Sequence, residues 1–286
     1  MGAVEISFLK MQGCGDDIVL LNADRVPPEA HARYPLLARR ILDRHLGVGG
    51  NCLAVIGAAD DADVRALSFD PAGDEAALSC NAARCVARYA SDSGAVSRSD
   101  FTIGAARGPL RAQIIDSAHV RVDMGLPFND QMQAEVREST RDSFTRSILV
   151  EGRSVSYTPI SFGRPYAMLF VPDFSFPVRK TARTIAAQPD FPVGTGIGFV
   201  QVYSREEMRL RVWEAEREPP GDECACAAAA LVAAVVNGFT DRELFIHLNG
   251  GDVFLQWEEA DNHLWLTGPA GYVFTGTYDF AEGAKK

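Results

Sequence analysis

Ser79 and Cys226 stand 147 positions apart, and each sits in a stretch of small residues where a strand-like run gives way to a helix. The first stretch is Ser79-Cys80-Asn81-Ala82-Ala83-Arg84-Cys85 and the second is Cys224-Ala225-Cys226-Ala227-Ala228-Ala229-Ala230. A helix start presents unpaired backbone N–H groups and the positive end of the macrodipole, so it can hold a carboxylate. The same environment lowers the pKa of a thiol placed there from about 8.5 toward working pH. Stereochemical inversion at an α-carbon needs one group to take a proton from one face and another to deliver one to the opposite face, which thiol and thiolate can do. Two such helix starts facing each other would make a carbon-acid site. Taken alone, either stretch also reads as tight packing, because buried cysteines usually behave as small hydrophobes.

The elements that must position these residues follow from the pattern of apolar and turn residues. Glu5 to Leu9 and Asp17 to Leu21 are strand-like around the turn Gln12-Gly13-Cys14-Gly15-Asp16, which predicts an opening hairpin. Pro27-Pro28 starts a helix with Leu36, Leu37, Ile41 and Leu42 on one side, ended by Gly47. Strands follow at Cys52 to Ile56 and Val64 to Phe69, the latter leading into the turn Asp70-Pro71-Ala72-Gly73-Asp74. The first cysteine helix runs from about Asn81 to Tyr89, and Phe101 to Met124 is rich in short β-like runs.

Beyond Pro127 the pattern restarts with a polar stretch from Gln131 to Arg141. Strands are expected at Val155 to Ile160, Ala167 to Val171, Gly198 to Tyr203 and Leu210 to Trp213, with a helical patch around Lys180 to Ala187. The second cysteine helix extends to Val236, capped by Asn237-Gly238. The segment from His119 to Pro127 resembles that from His263 to Pro269 at an offset of 144. Two features sharing nearly one period predict a duplicated α+β unit with a cleft between the copies, residues 1–126 with 275–286 and residues 127–274.

With 47% hydrophobic residues, the 286-residue chain can build a sizeable core, as two modest domains or one large one. No apolar run is long enough to span a bilayer, and the first residues lack the basic start and apolar stretch of a signal peptide, so a cytoplasmic protein is expected. A net charge of −10 argues against nucleic acid or an anionic membrane as partner and for a small molecule, and a homodimer is compatible with it. The six cysteines include no Cys-x-x-Cys pair and no histidine at finger-like spacing, so no metal is expected, and cytosolic thiols stay reduced.

One set of motifs runs through Phe8-Leu9-Lys10-Met11-Gln12-Gly13-Cys14-Gly15-Asp16-Asp17, Gly47-Val48-Gly49, the segment from Phe69 to Ala76, and the segment from Asn81 to Tyr89. It continues through Phe162-Gly163-Arg164-Pro165, Phe199-Val200-Gln201-Val202, Arg211-Val212-Trp213-Glu214, and Gly221-Asp222 leading to Ala225-Cys226. These span almost the whole chain in order, and in them the sequence resembles the diaminopimelate epimerases. The resemblance implies an α+β fold of two pseudo-symmetric halves, each a curved sheet around a central helix, with the active site in the cleft between them. It further implies cofactor-independent chemistry on a small amino-acid-like substrate with one catalytic cysteine from each half.

Several positions depart from the family. Its first cysteine, before Gly-Asn-Gly, falls on Ser79, followed by Cys80, Asn81 and Ala82. Its second, before Gly-Thr-Gly, falls on Cys226, followed by Ala227 and Ala228. Its substrate asparagines fall on Asp16 and Asp70, its Asn-Pro-His on Arg164-Pro165-Tyr166, and its later asparagines near Gly196 and Gly198. The Glu-Arg-Gly segment becomes Glu216-Arg217-Glu218 with Pro219-Pro220 inserted, and the next glutamate is Asp222. The expectation is an amino-acid racemase, epimerase or related isomerase with Cys226 as base, Ser79 or Cys80 opposite it, and a substrate other than diaminopimelate. In this reading the acids Asp16, Asp70 and Asp222 meet an ammonium and Arg164 and Arg217 meet a carboxylate. The alternatives are a one-base elimination or isomerisation enzyme, and a non-catalytic binding or assembly protein that retains the fold.

Overall fold

A computed structural model describes residues 4–127, 144–214 and 223–280 of the chain. It divides into two compact units, Met1–Val122 with Gly268–Lys286, and Asp123–Thr267. In the first unit β1 (Val4–Gly13) and β2 (Asp16–Asn22) form the expected antiparallel hairpin. Cys14 and Gly15 join them with φ of 50° and 79°. Two consecutive positive φ angles are what a two-residue turn needs to match the twist of its strands.

From the hairpin the sheet grows by β3 (Cys52–Gly57) parallel to β2, β4 (Val64–Phe69) antiparallel to β3, and β5 (Asp100–Gly104) parallel to β4. Then β6 (Leu110–Ile114) and β7 (His119–Gly125) continue it antiparallel. Alternation along these strands loads both faces. Ile18, Leu20, Ala54 and Ile56 pack with the central helix α3 (Cys80–Asp92), while Val19, Leu21, Leu53 and Val55 pack under α1 (Pro28–His31) and α2 (Tyr34–Ile41). A sheet buried on both sides reads as continuous apolar runs, as β2 and β3 do.

One predicted helix after Pro27-Pro28 is two helices, interrupted at Ala32-Arg33. Pro35 is the cause: it has no N–H to donate to the His31 carbonyl four residues back, and its ring would clash with that carbonyl, so it is tolerated only in a first turn, where α2 places it. Leu37, Ile41 and Leu42 are buried as their spacing implies. The turn after β4 closes through Gly73 N–H to the Asp70 carbonyl at 2.9 Å and Asp74 N–H to Asp70 Oδ1 at 3.0 Å. Gly73 has φ +83°, and a Cβ there would strike the Pro35 carbonyl. Gly73→Ala is therefore expected to cost roughly 1–3 kcal/mol from backbone strain alone, with the clash added to it. A lower denaturant midpoint at unchanged slope would show it; an unchanged midpoint would mean that the turn is not held as described.

The second unit repeats the scheme. Antiparallel β8 (Arg146–Val150), β9 (Arg153–Phe162) and β10 (Arg164–Phe170) lead to β11 (Gly196–Ser204) parallel to β10 and β12 (Glu207–Trp213) antiparallel to β11. Next come β13 (Glu243–His247) parallel to β12, then β14 (Asp252–Trp257) and β15 (Leu264–Pro269) antiparallel. Helix α4 (Val178–Ala186) lies between β10 and β11, as α2 lies between β2 and β3, and α5 (Cys224–Val236) lies between β12 and β13, as α3 lies between β4 and β5. Two pseudo-symmetric α+β halves are thus the architecture. Nearly every residue of α5 is buried, in keeping with a helix apolar on all sides, and Gly238 at φ 72° ends it.

The sequence reading put the returning segment at 275. Instead β16 (Gly271–Phe280) pairs with β1 from Gln12↔Gly271 to Val4↔Phe280, with a register shift between Lys10 and Met11, and the whole strand belongs to the first unit. The polar stretch from Gln131 to Arg141 lies outside the described residues.

Candidate active site

Each central helix start is built differently. In the first unit the chain leaves the Asp70–Asp74 turn extended and enters α3 through Ser79 (φ −67°, ψ 157°), whose Oγ accepts the Ala82 N–H at 3.1 Å. The hydroxyl of Ser79 is thus spent as an N-cap, the commonest use of serine at a helix start. Asn81, 1% exposed, passes a chain of polar contacts through the first turn. Its Nδ2 donates to Asp16 Oδ2 at 3.4 Å, and its Oδ1 accepts from Arg84 Nη2 at 2.5 Å. Asp16 also accepts from Asn51 Nδ2 at 2.7 Å.

Arg84 is fully buried and was not among the residues expected at the site. Its Nε donates to the Pro269 carbonyl at 3.2 Å, Nη1 to Cys80 Sγ at 3.3 Å and Nη2 to Cys14 Sγ at 3.5 Å. A sequence signal existed: Arg84 lies four residues after Cys80 on one helix face. Nearby, Lys10 and Arg44 both bind Asp17, at 2.7 Å each. Partial burial would raise the Asp17 carboxyl, but hydrogen bonds from Arg44 and Lys10 outweigh it and hold it below the usual range. Asp70 is further along the chain, its Oδ1 engaged by Asp74 N–H.

In the second unit α5 starts after Glu223, which has helical backbone angles and makes no side-chain cap, while its Oε2 accepts Asn249 N–H at 3.3 Å. Cys226, Ala227 and Ala228 are completely buried. The expectation that a helix start lowers a thiol pKa fails here. Burial pushes the Cys226 thiol far above the cysteine range, the Glu223 carboxylate adds to the rise, and Arg164 offsets only part of it. Removal of the sulfur from water outweighs a half-charge of helix dipole.

The two helices are each 13 residues long and begin 144 positions apart, at Cys80 and Cys224. Cys226 is therefore the third residue of α5, level with Ala82 rather than with the cap residue Ser79. The 147-residue spacing of Ser79 and Cys226 does not coincide with the 144-residue repeat of the elements, a shift of most of one 3.6-residue turn.

Strands β10 and β11 complete this corner in pairs of one large and one absent side chain. Tyr166 faces Gly196 and Met168 faces Gly198 across the parallel ladder. A Cβ on Gly196 would lie 2.6 Å from the Tyr166 ring, and one on Gly198 would lie 2.5 Å from Met168 Sδ and 3.2 Å from Cys226 Sγ. Arg164 is ion-paired with Glu214, whose side chain is 4% exposed, donates from Nε to Tyr166 Oη at 3.1 Å, and stacks on the Tyr166 ring at 5.2 Å. Its charge is already balanced within the protein. The structure thus groups Asp16, Ser79, Cys80, Asn81 and Ala82 in one unit, and Arg164, Tyr166, Cys226, Ala227 and Ala228 in the other. Arg217 and Asp222 lie outside the described residues. Among the described residues no group of three or more His, Cys, Asp or Glu side chains is placed to hold a metal, and no helix is long and apolar enough to cross a membrane.

The sequence pattern of the family described as Diaminopimelate epimerase matches residues 8–128 and 158–273. A diaminopimelate epimerase from Desulforapulum autotrophicum is 35% identical over 282 residues, spanning 96% of this chain and 99% of the relative. Among solved structures, a phenazine biosynthesis protein of Bacillus anthracis is similar with a TM-score of 0.63 at 16% identity, over 96% of this chain and 99% of that one. A hydroxyproline epimerase from Agrobacterium vitis, holding trans-4-hydroxy-L-proline, also gives 0.63, at 14% identity over 96% and 92%. At such identities these two structures establish the common fold.

Proposed function

Since the chain belongs to the diaminopimelate epimerase family, we propose that it is a cofactor-independent isomerase acting on the α-carbon of a small amino-acid-like substrate other than diaminopimelate, with Cys226 as the thiol that exchanges the α-proton. The observation that carries this reading is the placement of Cys226 in the first turn of a buried central helix beside the carboxylate of Glu223 and the guanidinium of Arg164. A thiol held protonated is a proton reservoir, and once ionised it is a stronger base than an ordinary thiolate. The N–H groups of the α3 and α5 starts are suited to a substrate carboxylate, and exchanging glycine for alanine at Ala82, Ala227 and Ala228 leaves those donors in place.

Two observations favour one-sided chemistry. Ser79 lacks a thiol, and its hydroxyl oxygen is held in place by the Ala82 N–H as a helix cap. A serine without an activating base is a poor proton acceptor. The reading therefore favours exchange of one enantiomer's α-proton over rapid inversion.

The test is α-proton exchange in deuterated water across a panel of amino acids, followed as a function of pH. A raised pKa means the thiolate is scarce below it and gains tenfold per pH unit as pH rises. The exchange rate is expected to climb steadily past about pH 8.5, the ordinary cysteine value, with no plateau, because burial raises this thiol. A plateau beginning near pH 7 would show an activated thiolate or a different base, and exchange of no amino acid would favour a binding protein.

A further inference from the structure

Four of the six cysteines are buried, and only Cys14 and Cys80 are partly exposed. These two lie 66 positions apart in sequence, one in the β1–β2 turn and the other at the first residue of α3. They meet on sister nitrogens of one guanidinium, Nη1 of Arg84 reaching Cys80 Sγ and Nη2 reaching Cys14 Sγ. That guanidinium cannot swing away, because Asn81 Oδ1 and the Pro269 carbonyl hold its other N–H groups in a completely buried pocket. Both sulfurs are thus held against one buried cation, on neighbouring N–H groups of the same planar fork. Reactive cysteines occupy such electropositive, partly exposed surroundings.

We propose that Cys14 and Cys80 form a hydroperoxide-sensitive dithiol that closes to a disulfide within the first unit, an inference that does not depend on the isomerase reading. The sulfur of Cys80 attacks the peroxide oxygen, the O–O bond breaks, and the departing hydroxide or alkoxide takes up the proton of that thiol as water or alcohol. The sulfenic acid so formed is attacked by Cys14 sulfur; the S–S bond forms, the S–O bond breaks, and the hydroxide leaves as water with the Cys14 proton. Two thiols lose two electrons and two protons to one peroxide. The bond would tie the hairpin turn to the first turn of α3, the two segments that carry Asp16, Ser79 and Asn81. The other thiols are poorly placed to compete: burial pushes Cys85 up to about 12 despite the nearby Arg84.

The experiment uses the reduced full-length protein and a small molar excess of hydrogen peroxide. Thiols titrated in denaturant are expected to fall from six to four, and non-reducing peptide mapping should join the Cys14 peptide to the Cys80 peptide, with full recovery on adding dithiothreitol. In Cys14→Ser, Cys80 should be captured by dimedone as the sulfenic acid at least tenfold faster than Cys85 is modified in the same sample. A cross-link between other cysteines, a cross-link between chains, or a thiol count that stays at six would overturn the proposal.

Discussion

Cys226→Ala is expected to lower α-proton exchange by about 100- to 10,000-fold, the usual worth of a positioned acid–base group. The side chain is completely buried, so part of any loss could reflect a disturbed core. Cys226→Ser separates the two effects: it conserves shape, should cost no more than the roughly 1–3 kcal/mol of a buried hydroxyl, and, assayed well below its own thermal midpoint, should still lose nearly all exchange, because a hydroxyl without an activating base does not take up a proton. Ser79→Ala behaves in the opposite way. It removes the hydrogen bond to Ala82 N–H and should cost about 1 kcal/mol of stability while reducing exchange only modestly. Exchange that survives unchanged in Cys226→Ala would remove the thiol from the mechanism.

Turnover of diaminopimelate is expected to fall about 10,000-fold or more below that of ordinary family members. A site built to hydrogen-bond a polar substrate group discriminates that strongly when the partners are changed. Here the resemblance places the later substrate-binding asparagines near Gly196 and Gly198, where the ring of Tyr166 and the sulfur of Met168 fill the space. Arg164, which stands for another of those asparagines, is bound by Glu214 and Tyr166 rather than presenting an unbalanced charge. Restoring polarity at one position would not help, since a Cβ at Gly196 collides with Tyr166. Measured epimerisation of diaminopimelate at a family-typical rate would show that these pairs do not face the substrate.

Most strands, both central helices and the internal repeat were legible because each left a local mark: the Cys14-Gly15 turn between apolar runs, Asp70-Pro71-Ala72-Gly73 before α3, Asn237-Gly238 after α5. What escaped depends on contacts distant in sequence. Pro35 split a helix whose apolar spacing looked continuous, because backbone restriction overrode periodicity. Arg84 looked like an ordinary helix charge until the Cys14 turn and the Pro269 carbonyl were brought to it from 70 and 185 residues away. The state of the Cys226 thiol escaped for another reason: a helix-end argument counts the dipole, whereas burial, set by the whole packed unit, decided the sign.

The ladder between β1 and β16 has a consequence for how the molecule is made. Synthesis delivers residues 4–13 first and their partners 271–280 only after the whole second unit has been assembled. The second unit is contiguous and can fold as it emerges, as domains generally do. The first must wait with one edge of its sheet unpaired, its Ile6 and Phe8 lacking the cover of Phe280. Exposed strand edges invite wrong pairing, so the period between translation of β1 and arrival of β16 is when a nascent chain of this protein is most exposed to aggregation.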